Sequence, residues 1–356
     1  MLPVPVEAVL RSSWKDLRRR VFHRRHASEA HAALTNIEFR RGKTDPAELR
    51  AAEAYARDVL GSACYAPWLY VYTALNGRFK EGWIPDNFYG WVVVPLLKGH
   101  YGKVSELKTM SRQLFQDDVF PDIGYHVNGI CFSPDYAAIS CSDLEQTLFS
   151  NTDKVAFKSD QTGQGKGVII LNRQDFGAVT IRSLGNGVFQ RFICQHQTFA
   201  QFGSEAVATI RFTTVVNDGG AVSLRACYLR LGRAADGHVR PDTEVCVSAD
   251  LTDGRLQSTG YQSDWTNIDT HPDSKVQFDG LGLPRFRQCV DKVLELHAKF
   301  PFARCVGWDV TVDVTGEIVV LEWNAEYNDV KFSEATQGPC FADLGWEKLS
   351  KPGRNK

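Results

Sequence analysis

A mixed α+β architecture is predicted, with a mostly helical N-terminal region followed by two lobes of sheet and helix, and three observations predict it. Residues 1 to about 60 space Trp14, Leu17, Val21 and Phe22 for one helical face, and Ala47 to Ala54 is a run of strong helix formers. From residue 154 onward the pattern changes to short β-branched and aromatic runs separated by Gly-rich turns, which read as hairpins. At 356 residues the chain exceeds what one core usually serves. The expected parts are residues 1–89 as the helical region, 90–189 as a first lobe and 190–356 as a second.

Taken in order, the first helical stretch is basic, with Arg18, Arg19, Arg20, Arg24 and Arg25 among its apolar positions. Asp45-Pro46 caps a second helix, which ends at Gly61. Ile84-Pro85-Asp86-Asn87 breaks any long element in an aromatic-rich stretch. Trp91–Leu97 reads as a buried strand, and Val104–Phe115 as a helix carrying Lys108. Short elements follow, with Gly129–Phe132 as a strand and Ser142 opening a helix with an acidic first turn. Lys154–Lys158 and Val168–Leu171 are strands joined by the loop Ser159–Gly167. Val188–Ile193 is a strand or hinge, Ala208–Val216 and Ala226–Arg230 are further strands, and residues 232–285 are long loops with short strands, suited to selecting a substrate. Pro284–Lys299 is an amphipathic helix whose His297 reads as structural.

Composition excludes several classes. Lys+Arg 41 against Asp+Glu 42 gives a net charge of −1, which argues against a general nucleic-acid-binding surface. Nine cysteines without a Cys-x-x-Cys pair fit reduced thiols better than a disulfide frame or a zinc site. No apolar run approaches the roughly 18 residues of a membrane span, and no signal-peptide core is visible, so a soluble cytoplasmic protein is expected.

The chemistry is placed at Gly307–Asn324. Val306, Val310, Val312 and Val314 alternate with polar residues, Thr315-Gly316 turns the chain, and Ile318–Leu321 returns it, so the stretch is a β-hairpin. Glu322 and Asn324 stand two residues apart and share one face, and pairing across Gly316 brings Asp309 beside them. Two carboxylates and an amide oxygen suit Mg²⁺ on the phosphates of a nucleotide. The loop with Gly163, Gly165 and Gly167 returns to a strand and not to a helix, so it is neither a P-loop nor a Rossmann turn; a hairpin folding over phosphates fits it, with Lys158 ahead of it. Gln190–Ile193 can offer backbone groups to a base edge, with His196 nearby. Arg211, on a central strand, needs an anionic partner, either a phosphate or a protein carboxylate, and Arg230 reaches toward the same cleft.

The order of these parts resembles the ATP-grasp superfamily, in which an early Lys, a Lys before a Gly-rich hairpin, a hinge strand, a strand Arg, an Asp and a Glu-x-Asn follow one another. Gln190–Ile193 to His196, Thr209-Ile210-Arg211, His271-Pro272-Asp273 and Gly307-Trp308-Asp309 look most like its sugar-transfer-associated group. The resemblance implies that Lys108 and Lys158 reach the phosphates of ATP, with the loop Gly163, Gln164, Gly165, Lys166 and Gly167 covering them. It implies that Gln190, Arg191, Phe192 and Ile193 hold adenine, with His196 near the ribose. Asp309, Glu322 and Asn324 would bind Mg²⁺, and Arg211, with Arg230, would stabilise the transferring phosphoryl group. The hinge begins with Gln190 where many members have Glu, and no Asp precedes Lys108.

The function expected is an ATP-dependent carboxylate–amine ligase forming an amide through an acyl phosphate, in polysaccharide decoration or peptide natural-product synthesis. Its partners are then small-molecule carboxylate and amine substrates or a sugar-linked acceptor. A kinase of a sugar-like hydroxyl and a non-catalytic nucleotide-binding module are the alternatives.

Overall fold

The computed structural model describes residues 6–163, 167–234 and 236–350. The chain forms two compact units, one of Met1–Leu97, Asp264–Thr266 and Asp329–Lys356, the other of Lys98–Ser263 and Asn267–Asn328.

The first unit is helical. Its main elements are α1 (Val6–Arg41), α2 (Pro46–Asp58) and α3 (Ala66–Asn76). Asp45 caps α2 by accepting from the Ala47 amide at 2.8 Å, with Pro46 at the first helical position, as its sequence predicts. Ala30, Ala33 and Ile37 of α1 are buried, and small residues there let α1 approach α3. Trp91–Leu97, expected as a strand, is instead helical: a π-type turn at Tyr89–Val93 continues into Val94–Leu97. The described residues of this unit form no strand, so an extended Trp91–Leu97 would leave its amides without partners.

The expected boundaries also shift. The chain after Asn328 returns to the helical unit because its polar groups are satisfied there: Glu334 accepts from the Ile84 and Cys340 amides, each at 2.7 Å, and Asp86 accepts from the Val330 amide at 3.0 Å. Trp265 packs between Trp68 and Phe332 in the same unit.

The second unit holds two antiparallel sheets. The first contains β1 (Asp122–Val127), β2 (Ile130–Phe132), β3 (Ala138–Ile139), β4 (Lys154–Ser159), β5 (Val168–Asn172) and β6 (Gly187–Arg191), in the order β3-β2-β1-β6-β4-β5. The second contains β7 (Thr209–Val216), β8 (Val222–Leu231), β9 (Val245–Ala249), β10 (Leu256–Gln262), β11 (Asn267–Ile268), β12 (Cys305–Val312) and β13 (Ile318–Asn324), in the order β11-β10-β9-β8-β7-β12-β13. The expected helix Val104–Phe115 is broken at Leu107 into short 3₁₀ turns and Ser111–Phe115, which frees Lys108 from a continuous helix.

Alternation along the second sheet separates core from site. Ile210, Phe212, Leu229, Val247, Trp308 and Val310 face the main core, where the helix Phe286–Lys299 covers them. His297 is buried there as expected, between Thr214 Oγ1 at 2.6 Å and the Ala303 carbonyl at 2.9 Å. Thr209, Arg211, Thr213, Tyr228, Arg230 and Asp309 are their strand alternates and point to the other face. Trp323 anchors β13 from the core side, with its ring against Phe115, Phe300 and Trp308 and its Nε1 donating to Ser111 Oγ at 3.0 Å.

All nine cysteines are free thiols, and no helix of the described residues is long and apolar enough to cross a membrane. Because Trp323 is both large and close-packed, Trp323→Ala should destabilise the chain by about 3–5 kcal/mol, read as a shift of the denaturant midpoint; a loss under about 1 kcal/mol would mean that β13 is held elsewhere.

Candidate active site

The site is built on β7, β12 and β13. In their registers Asp309 lies opposite Arg211 on one side and Glu322 on the other. A one-residue bulge follows, since Val310 pairs with Val320, and Leu321 is the extra residue. Arg211 grips Asp309 bidentately, Nε to Oδ1 at 2.6 Å and Nη2 to Oδ2 at 2.9 Å. Asn324 Nδ2 reaches Asp309 Oδ2 at 3.4 Å. The three side chains predicted from the hairpin are thus brought together. Of the two partners open to Arg211 in the sequence reading, the structure shows the protein carboxylate.

Arg230 comes from β8, where it pairs with Thr209; it bonds Glu244 Oε2 at 2.7 Å and lies 3.5 Å from Asp309 Oδ1. Burial works to raise the Asp309 pKa, but Arg211 and then Arg230 overcome it and hold the carboxyl below its ordinary range. Gly307 lies where β12 passes close to other groups: a Cβ there would sit 2.9 Å from Asn328 Cβ and 3.4 Å from Arg211 Cδ.

Two lysines approach the same place, one from the first sheet and one from the 3₁₀ turn that follows Leu107. Lys158 on β4 donates to the Leu321 carbonyl at 2.9 Å, beside Glu322. Burial lowers its pKa, Glu322 and Asp122 oppose this, and Lys108 adds to the lowering. Lys108 Nζ lies 3.9 Å from Glu322 Oε1 and donates to the Thr162 carbonyl at the base of the Gly-rich hairpin. That base is latched to the segment bearing Lys108: Asp160 accepts from the Thr109 amide and hydroxyl at 3.1 and 2.9 Å, and the Gln161 amide donates to the Glu106 carbonyl at 2.8 Å. Gly167 is required there, since a Cβ would fall 2.2 Å from Thr162 Oγ1, whereas Gly163 faces open space. Gln164, Gly165 and Lys166 lie outside the described residues.

The proposed hinge residues are placed differently from one another. Gln190 does not present its side chain outward but donates Nε2 to Asp122 Oδ1 at 2.8 Å, buried between β1 and β4. Arg191 pairs with Asp313 at 3.0 Å and Glu317 at 3.4 Å, at the turn of the β12–β13 hairpin. Ile193 is buried, and Phe192 is half-buried under the Lys154 ammonium. His196 caps the short helix Gln197–Ala200, its Nδ1 accepting from the Thr198 amide at 3.2 Å, while its own amide bonds the Val312 carbonyl. His271 and Asp273 serve the loops: His271 Nε2 meets the Gly232 carbonyl at 3.1 Å, and Asp273 grips Arg233 at 2.6 and 2.8 Å.

Asp122 escaped the sequence reading, because a lone Asp after a proline carries no signal of its partners. It joins Gln190, Tyr125 and the field of Lys158, and burial pushes its carboxyl up to about 6 against the lowering pull of Gln190 and Lys158.

The charge balance decides what the site can do. Asp309 neutralises Arg211, and Glu244 neutralises Arg230, while Lys108 and Lys158 share Glu322. Such a cationic surplus suits a polyanion. Among the described residues no three His, Cys, Asp or Glu side chains form a cage for a metal ion. Asp309, Glu322 and Asn324 together offer hard oxygens, only two of the side chains being charged, a set whose chemistry would fit a Mg²⁺ that keeps several waters. Each Asp309 oxygen bonded to Arg211 retains a second lone pair, and Glu322, 24% exposed with one long contact to Lys108, is the more open ligand.

Residues 179–344 match the family model described as sugar-transfer associated ATP-grasp. The resemblance drawn from the sequence holds over these residues, and the chain as described is of mixed helix and sheet with a helical N-terminal region. No curated protein matches the chain. Among solved structures, biotin carboxylase from Campylobacter jejuni, as a β,γ-ATP complex, is 11% identical with a TM-score of 0.45, over 70% of this chain and 47% of its own. The biotin carboxylase domain of Hydrogenobacter thermophilus 2-oxoglutarate carboxylase, solved with MgADP, ADP and bicarbonate, is 11% identical with a TM-score of 0.43, over 71% and 46%. D-alanine–D-alanine ligase from Coxiella burnetii is 13% identical with a TM-score of 0.38, over 69% and 58%. The chain spans about half the length of the solved structures it matches first.

The Asp122 carboxyl should leave a pH signature on stability. Unfolded, it loses its proton near the ordinary value of about 3.9; folded, it holds it to about 6. The folded chain therefore binds more protons between those values, so this stabilisation is complete below about pH 4 and is lost as pH rises through about 6. Denaturation midpoints of the wild type and of Asp122→Asn should accordingly draw together or cross as pH rises over this window, and parallel curves would refute the assignment.

Proposed function

We propose that this chain is an ATP-dependent carboxylate–amine ligase, acting on small-molecule substrates in the decoration of polysaccharide or the synthesis of a peptide natural product. The observation that carries the reading is the convergence of Lys108, Lys158, Glu322, Asp309 and Asn324 beside the base of a Gly-rich hairpin, with Arg211 and Arg230 in the same charge network.

A carboxylate does not acylate an amine at neutral pH, because its oxygen is too poor a leaving group. Transfer of the γ-phosphoryl group of ATP to a carboxylate oxygen makes an acyl phosphate and releases ADP. The amine then attacks the acyl carbon, an amide bond forms, and inorganic phosphate leaves with one former carboxylate oxygen. The chain's work is positioning and charge neutralisation, with no side-chain nucleophile. Lys108 and Lys158 hold phosphate oxygens, and the hairpin they adjoin covers them against water. Arg211 and Arg230 stabilise the charge that spreads over the transferring group. Glu322, Asn324 and Asp309 would hold Mg²⁺, which when bound would supply further neutralisation of the phosphates. Gln190–Ile193 forms the hinge that receives adenine, through the backbone of Phe192 and Ile193 because Gln190 and Arg191 are paired with both neighbouring segments, and His196 serves near the ribose.

Glu322→Gln keeps size and shape at a partly exposed position, so it should leave the fold intact while lowering ATP turnover by at least about 100-fold. Wild-type turnover in that variant would end the metal assignment. Screening ADP release against pools of amino acids, amines and uronic acids identifies the substrate pair. With an ¹⁸O-labelled carboxylate, the label should then appear in released phosphate; ADP released without inorganic phosphate, the phosphoryl group remaining on the acceptor, would replace the ligase reading with phosphoryl transfer to a hydroxyl.

A further inference from the structure

The helical unit carries a feature that the ligase chemistry does not use. Trp14, Leu17 and Val21 of α1 are 65, 53 and 61% exposed, although each is large and apolar. Their spacing of three and four residues puts them in one stripe. With the half-buried rings of Phe22 and Trp91, which stand 5.6 Å apart, they line an open groove of about 840 Å³. Lys15, Arg18 and Arg25 line the same groove. Residues 14–25 contain six basic side chains and one acidic one, a local net charge of +5 in a chain whose whole is −1. Every residue from 14 to 21 is exposed.

Water is a poor solvent for such a stripe, and the cations beside it need anions. A nucleic acid would meet the cations and leave Trp14, Leu17 and Val21 in water. The surface of an anionic bilayer meets both: apolar side chains enter the boundary between headgroups and acyl chains, a Trp ring suits that boundary, and Lys and Arg stems reach up to the phosphates. We propose that the Trp14–Arg25 face of α1 lies on a bilayer of anionic phospholipid, its apolar stripe in the acyl boundary and its cations on the headgroup phosphates. Lying flat, this face engages one leaflet; no helix of the described residues is long and apolar enough to cross a membrane. Because the attraction is partly electrostatic, it weakens as salt shortens the Debye length from about 10 Å at 0.1 M. The proposal does not depend on the ligase reading.

The test is sedimentation of the full chain with vesicles of phosphatidylcholine alone and of phosphatidylcholine mixed with phosphatidylglycerol. The chain should sediment with the mixed vesicles, less so at high salt, and poorly with the neutral ones. Joint replacement of Arg18 and Arg25 by Glu should weaken binding at least about tenfold. Joint replacement of Trp14, Leu17 and Val21 by Ser should weaken it at low salt too, while circular dichroism and thermal unfolding show both variants folded. No sedimentation with the mixed vesicles overturns the proposal, as does binding that survives both sets of substitutions. Concentration-dependent self-association that the Ser variant abolishes, without vesicle binding, gives the face to a second copy of the chain.

Discussion

At the centre of the second unit, a guanidinium and a carboxylate are bonded at 2.6 and 2.9 Å across two adjacent strands, and both side chains are nearly buried. Removing two charges from water costs several kcal/mol for each ion, and only a close, doubly bonded geometry offsets it. The Arg211–Asp309 pair has that geometry because β7 and β12 are in one register. A slip by one residue would turn Trp308 to the polar face and put Asp309 into the hydrocarbon core. The pair and the core on the opposite face therefore select the same register, and Glu322 and Asn324 inherit their placement from it.

The bulge at Leu321 matters for the same reason. It keeps Glu322 opposite Asp309 and leaves Trp323 directed into the aromatic packing of the core. The Leu321 carbonyl is also the acceptor for Lys158, so the irregularity that sets the carboxylate also ties β4 to β13. Arg191 makes a second tie from the first sheet to the β12–β13 turn. These two ties, from Lys158 on β4 and from Arg191 at the end of β6, join the first sheet to β13 and to the β12–β13 turn.

The Gly-rich hairpin after β4 is held, among the described residues, at its base. Its base is fastened by Asp160, Gln161 and Thr162 to the segment 106–109, and Gly167 lets the returning strand pass Thr162 without a clash. The break at Leu107 serves this arrangement, since a continuous helix would have fixed the direction of Lys108 by its own periodicity.

The sequence by itself determined strands β7, β8, β12 and β13 of the second sheet, the Asp45 cap, the core role of His297 and the grouping of Asp309, Glu322 and Asn324, because each rests on a local alternation, a cap or a tight turn, whereas β9, β10 and β11 fall where it read long loops with short strands. It also made the choice for Arg211 explicit, a phosphate or a carboxylate, without deciding it. Only the tertiary structure decided that Asp309 is that partner, that Gln190 turns inward to Asp122, that Trp91–Leu97 is helical, and that the chain after Asn328 rejoins the first unit. Each of these depends on groups far apart in the chain meeting in a buried place, where an unpaired charge or amide is costly. Local periodicity records which way a side chain points, and it is the burial of polar groups among distant partners that settles what they point at.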